Sequence, residues 1–217
     1  MTQTPKPRVL LMNPNSNAAT TQAMVTIAAH VLPSLASWTA PAGPSLISTM
    51  DDLNAAATLV ATARIPNDID GVIVSAFGDP GRKALAERLE IPVVGIGEAA
   101  AIAAAKGGRR YAVVTHTPGL VTSIDALMRA SAPQSAYLGT FLADADPLAV
   151  SADKARLDAA LLAATHRAYA AGAQAVIIGG GPLAEAAERL RLQAPCDLIM
   201  PIPEAARRIL AQLKDPT

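Results

Sequence analysis

The sequence predicts an α/β protein built as two pseudo-symmetric lobes, each a parallel sheet flanked by helices. Short apolar runs alternate with alanine-rich stretches of helical character, and most of the runs are apolar on both faces, as strands covered by helices on both sides are. The chain also repeats itself at three strand ends in the same order. RVLLMN (8–13) before Pro-Asn-Ser resembles RYAVVT (110–115) before His-Thr-Pro. GVIVSA (71–76), with its Gly-Pro turn and KALAERL, resembles AVIIGG (175–180) with its own Gly-Pro and EAAERL, and PVVGIGEAAAIA (92–103) resembles LIMPIPEAARRI (198–209). Finally, 217 residues of which 51% are hydrophobic can fill two small cores.

The elements follow in chain order. A strand at 8–12 ends on Asn-Pro-Asn-Ser and leads to a helix over 20–31, and a second helix covers 51–63. The run VIV within the strand 71–76 stops on small residues and gives way to FGDPG, a turn-rich loop that opens a helix over 81–89. A strand at 92–96 and a helix over 98–105 complete the first lobe, residues 1–108. The second lobe, 109–217, repeats the order: strand 111–115, helix 121–131, helix 152–170, strand 175–179, helix 183–192, strand 197–202 and helix 204–213. Whether that last helix crosses back to the first lobe is left open by the sequence. Each lobe presents loops at the carboxyl ends of its strands, where open α/β sheets bind ligands.

Composition excludes several function classes. A formal net charge of zero gives no pull toward nucleic acid or a membrane surface, and 3% aromatic residues leave few rings for base stacking. The single cysteine, Cys196, rules out an internal disulfide framework and a zinc site of several thiolates, and it fits a reducing cytoplasm. No apolar stretch approaches the roughly 18 residues of a membrane span, and the run near the N-terminus is too short for a signal segment. The expected partner is a small-molecule substrate.

RVLLMNPNS, VSAFGDPG, PVVGIGEAA and RRYAVVT occur in this order. Together they resemble the aspartate/glutamate/hydantoin racemase superfamily, most closely its hydantoin racemase branch, over nearly the whole chain. The resemblance implies an active site in the interlobe cleft, no metal or organic cofactor, and a homo-oligomer. It also implies two cysteines on opposite faces of the substrate, one removing the proton from the stereogenic carbon and the other returning one. Here the position before FGDP is Ala76, and the position after the matching strand of the second lobe is Gly180. Both thiols are missing. Cys196 lies ahead of the last strand, away from the strand-end loops, and reads as a packing residue.

Neither alanine nor glycine carries a proton, so other groups must supply any chemistry. Glu98, where GIGEAA turns from strand to helix, is either a general base or a first-turn carboxylate favoured by the helix dipole. His116, directly after a strand, is either an acid–base group or an exposed loop histidine. Asn13, Asn15, Ser16, Ser75 and Thr115 offer amide and hydroxyl groups for binding, and Ala76 with Gly180 leaves room on either face of a ligand. Backbone amides at Phe77, Gly78 and Asp79 and at Gly180, Gly181 and Pro182 form loops that approach a carbonyl closely, as an oxyanion hole does, although proline itself lacks the N–H. Asp79 has the alternative role of a turn residue bonded to local backbone.

Three readings follow. In the first, water activated by Glu98 or His116 attacks a ring carbonyl or thiocarbonyl of a hydantoin or 2-thiohydantoin, giving hydrolysis or desulfhydration. This needs only one base and an oxyanion hole, and it ranks first on the sequence. In the second, a carboxylate and an imidazole replace the thiols in a hydantoin or amino-acid racemase or isomerase. In the third, the cleft binds such ligands without turnover.

Overall fold

The computed structural model describes residues 6–32, 34–144, 154–180 and 183–214. Two four-stranded sheets form, every pair parallel. In the first, β1 (Val9–Asn13), β2 (Leu35–Thr39), β3 (Gly71–Val74) and β4 (Val93–Gly95) lie in the order β2-β1-β3-β4. The second has the same order, β6-β5-β7-β8, from β5 (Tyr111–Thr115), β6 (Tyr137–Leu142), β7 (Ala175–Ile178) and β8 (Asp197–Ile199). The repeat in the sequence is therefore a repeat of topology. Two edge strands, β2 and β6, were not expected from the sequence.

The helices are α1 (Ala18–Ala29), α2 (Met50–Thr62), α3 (Arg82–Arg88), α4 (Ile96–Ala105), α5 (Val121–Ser131), α6 (Lys154–Ala170), α7 (Ala184–Leu190) and α8 (Pro201–Lys214). The expected helix 152–170 begins outside the described residues, and the expected strand 197–202 yields at Pro201 to α8. Local chemistry fixes the starts nearest the cleft. Asn17 caps α1 by accepting the Thr20 N–H, and Thr49 with Asp52 forms a reciprocal capping box on α2.

Side-chain alternation assigns the strand faces. Val9 and Leu11 of β1 join a central core with Tyr111 and Val113 of β5, while Leu10 and Met12 face an outer core beneath α2 and α3. Ala112 and Val114 likewise face the outer core of the second lobe, under α6 and α7. The central core is shared by both lobes through α4, α5 and α8. Although α8 follows the last strand of the second sheet, it crosses back and packs on α1, α4 and the first sheet. Gly71 of β3 admits it closely, since a Cβ there would lie 2.8 Å from Ile209 Cδ1. No helix among the described residues is long and apolar enough to cross a membrane.

Candidate functional site

The carboxyl ends of β1, β3, β5 and β7 converge on one cleft between the lobes, as open parallel sheets dictate. It is lined from the first lobe by Asn15, Leu46, Ile47, Ser75, Ala76 and Phe77. The second lobe contributes Thr115, His116, Thr117, Leu120, Ile124, Gly179 and Gly180. The two positions that lack the family cysteines thus both border the cleft, one from each lobe.

The β1 end is a preorganised amide network. Buried Asn13 donates from Nδ2 to Asn15 Oδ1 at 2.8 Å and to Thr21 Oγ1 at 2.9 Å, while its Oδ1 accepts the Asn15 N–H. The Asn15 oxygen also accepts the Asn17 N–H at 2.9 Å, which leaves the Asn15 amide NH₂ as the uncommitted donor on the cleft wall. Asn13 orients Asn15 and is not itself part of the lining. Ser16 is exposed and holds the neighbouring loop through Gly43 and Pro44 carbonyls, which removes it from the expected contact set.

The β3 end supplies the opposite floor. Ser75 is buried, and its backbone N–H is held by the Met12 carbonyl at 2.8 Å. Among the described residues, the backbone N–H groups of Ala76 and Phe77 have no protein acceptor. Gly78, at φ +121, is turned away against Leu53 and does not line the cleft. Asp79 does not line it either: its carboxylate accepts the Gly97 N–H at 2.8 Å and the Glu98 N–H at 2.7 Å, at the first turn of α4. The bonded partners are thus far along the chain, not in the local turn that the Asp-Pro pair suggested.

Glu98 is also displaced from its expected place. It is not among the cleft residues, and its carboxylate faces Arg82 of α3 at 3.6 Å. The helix-dipole reading of this residue is the one its surroundings match. His116, by contrast, is 4% exposed and lines the cleft directly, so it is not an exposed loop histidine. Its Nδ1 is buried without a hydrogen-bond partner, and burial pushes the imidazole below its ordinary pKa of 6.5. Among the described residues, this neutral imidazole with an unpaired ring nitrogen is the one titratable side chain of the lining. Beside it the hydroxyls of Thr115 and Thr117 pair at 3.1 Å.

Gly181 and Pro182 lie outside the described residues. Gly180 has φ +143, and Cys196 sits beside the outer core of the second lobe, where burial pushes its thiol pKa up. Thr117 and Gly179 line the cleft without having been expected there, as do the apolar Leu46, Ile47, Leu120 and Ile124. Apolar side chains in such segments carry no signal that separates a cleft wall from ordinary core.

A two-lobed α/β fold with a strand-end cleft between its sheets defines the class of protein. The chain belongs to the Asp/Glu/hydantoin racemase family, whose model matches residues 9–209. It is 27% identical to a hydantoin racemase of Paenarthrobacter aurescens over 215 residues, covering 95% of this chain and 90% of that one. A hydantoin racemase of Rhizobium meliloti is 29% identical over 190 residues, covering 83% and 78%. Among solved structures, allantoin racemase from Pseudomonas fluorescens superposes with a TM-score of 0.84 at 25% identity, covering 95% of this chain and 91% of that one.

Proposed function

We propose that the cleft is the active site of a cofactor-independent isomerase acting at the acidic ring carbon of a small cyclic ureide of the hydantoin type. His116 would serve as its acid–base group. The observation that carries this reading is the buried, neutral imidazole of His116 with an unpaired nitrogen, the one titratable group among the described residues of a cleft bounded by Ala76 and Gly180. The similarity to hydantoin and allantoin racemases supports the substrate class and the isomerase chemistry.

Among the described residues the lining carries no charged side chain, which favours a neutral ligand. Leu46, Ile47, Leu120 and Ile124 suit an apolar ring substituent, and Asn15 offers N–H donors to a ring carbonyl. His116 takes the proton from the ring carbon and becomes imidazolium, while the electron pair moves onto the adjacent carbonyl oxygen. The free N–H groups of Ala76 and Phe77 stabilise that oxyanion. Return of a proton to the carbon restores the ring. With a single base, inversion needs solvent to deliver a proton to the face opposite His116, in the room that the missing thiols leave, while the imidazolium gives its own proton to solvent.

The same imidazole also supports a second reading. Water held beside His116 gives it a proton and attacks a ring carbonyl or thiocarbonyl carbon, and the imidazolium returns that proton to the departing ring nitrogen or sulfide. Incubating enantiopure 5-alkylhydantoins and their 2-thio analogues in D₂O separates the two. Proton NMR reads loss of the C5–H signal, polarimetry reads inversion, and product analysis reads ring opening or sulfide. Exchange above the no-enzyme rate, abolished in His116→Asn, is the expected result. Ring opening or sulfide without prior C5 exchange would move the reading to hydrolysis, and absence of both reactions would sink it.

A further inference from the structure

We propose that Asp79 is a positioning residue: its carboxylate latches the Ser75–Phe77 wall of the cleft to the first turn of α4, and the placement of that wall follows the charge the group carries. The inference rests on the cleft being the ligand site, and three features of the geometry support it. Both carboxylate oxygens are committed, Oδ1 to Gly97 N–H and Oδ2 to Glu98 N–H, across 18 and 19 residues of chain. The space is cut for this carboxylate, because a Cβ on Gly95 would lie 2.1 Å from Asp79 Cγ and one on Gly97 would lie 3.2 Å from Oδ1. Asp79 is also the one non-glycine residue at positive φ among the described residues, at φ 50. Aspartate is among the few side chains that enter this region readily, so the turn that brings the carboxylate to α4 suits this residue.

The latch reaches the cleft through one bond. The Asp79 N–H donates to the Ala76 carbonyl at 3.0 Å, and Ala76 and Phe77 line the cleft with their own N–H groups free. FGDP and GIGEAA are thus two halves of one joint, the first supplying the acid and the second the glycines and helix amides that receive it.

An ionised carboxylate satisfies both N–H donors at a helix N-terminus, whereas protonation puts a hydrogen on one oxygen and weakens one of the two bonds. Two charged groups face Asp79: Glu98 from α4 and Arg82 from α3. Nearby, Leu127 of α5 packs against Gly97 and Leu53 of α2 against Gly78. Burial pushes the Asp79 carboxyl up to about 7, opposed by its two N–H bonds, with Glu98 adding to the rise and Arg82 working against it. Both charge states are therefore populated near neutral pH.

The test uses the unliganded full chain, so it is independent of any substrate. Backbone amide resonances of Gly97, Glu98, Ala76 and Phe77 are followed by ¹⁵N–¹H NMR across the neutral range. The latch predicts a common midpoint near 7 for all four, retained in His116→Asn and lost in Asp79→Asn. Should Asp79→Asn fail to fold, Glu98→Gln replaces it: removing the neighbouring like charge must shift the common midpoint downward. Titration of Gly97 and Glu98 while Ala76 and Phe77 stay fixed would reduce Asp79 to a helix cap. A pH-independent set, or a midpoint that Glu98→Gln leaves unmoved, would overturn the proposal. A normal titration with no turnover on any hydantoin would instead count against the proposed function alone.

Discussion

Phe77 of the first lobe and Gly179 of the second meet across the cleft with no space between them for a β-carbon. A Cβ on Gly179 would lie 2.7 Å from Phe77 Cε1. The contact couples the lobes at the point where Ala76 and Gly180, their next neighbours in sequence, both line the cleft. Gly179→Ala is expected to push the ring aside, costing about 1–3 kcal/mol of stability as overpacking does. Any activity should fall at least tenfold, since a displacement of about 1 Å can cost on the order of 10²-fold. Denaturant unfolding and the C5 exchange rate check the two effects, and unchanged values for both would show the contact to be slack.

His116→Asn and Glu98→Gln divide the acid–base assignments. Asparagine keeps polarity but cannot hold a proton, so turnover in His116→Asn should fall by about 10²–10⁴, with ligand affinity little altered. Glu98 stands off the cleft against Arg82, so Glu98→Gln should leave turnover near neutral pH within a few-fold. The reverse pattern, a collapse in the glutamine variant and normal rates in the asparagine variant, would return the base to Glu98.

Asp79 and His116 give stability opposite slopes against pH. The folded-state pKa of Asp79 is raised from 3.8 to about 7, so its contribution is complete below 3.8 and lost as pH rises toward 7. That of His116 is lowered from 6.5 by burial, so its contribution is complete above 6.5 and lost as pH falls. The Tm of the wild type relative to Asp79→Asn should therefore decline from pH 4 to neutrality and then level. Relative to His116→Asn it should decline on acidification. Parallel Tm–pH curves for the wild type and Asp79→Asn would mean that burial leaves this carboxyl unperturbed.

The central strands were legible because they are buried on both faces. VLLMN, GVIV, YAVVT and AVII are each entirely buried, which leaves a continuous apolar run in the sequence. LASWT and YLGTFL lie at sheet edges and are mostly half-buried, so Ser37, Gly139 and Thr140 interrupt the pattern that marks a buried strand. The same distinction governs the site. Strand-end motifs led to Asn15, Ser75, Ala76, Phe77, Thr115, His116 and Gly180 on the cleft. The Asp79 pairing with α4 spans 18 residues and exists only once β3 and β4 are aligned, so no local spacing announces it. Glu98 shared a cleft-facing motif, yet its side chain turns to Arg82, and a motif position does not fix the direction of a side chain.

Restoring the two thiols tests how far the cleft has departed from a two-cysteine site. Ala76 is buried but borders the cleft, where one added sulfur has space, so Ala76→Cys should fold like the wild type. Gly180 differs because its φ of +143 lies where side chains are rarely tolerated, and a Cβ built there meets Leu183 Cγ at 3.3 Å. Gly180→Cys should therefore cost about 1–3 kcal/mol of backbone strain. Its thiol would also start from a β-carbon packed against Leu183, not aimed across the cleft at residue 76. The double variant is then expected to gain little racemisation of 5-substituted hydantoins over Ala76→Cys alone. A gain of two orders of magnitude in the double variant, read by polarimetry with C5 exchange in D₂O, would show that the Gly180 backbone relaxes readily. In that case the loss of two acids, and not a change in loop geometry, separates this cleft from a two-thiol racemase.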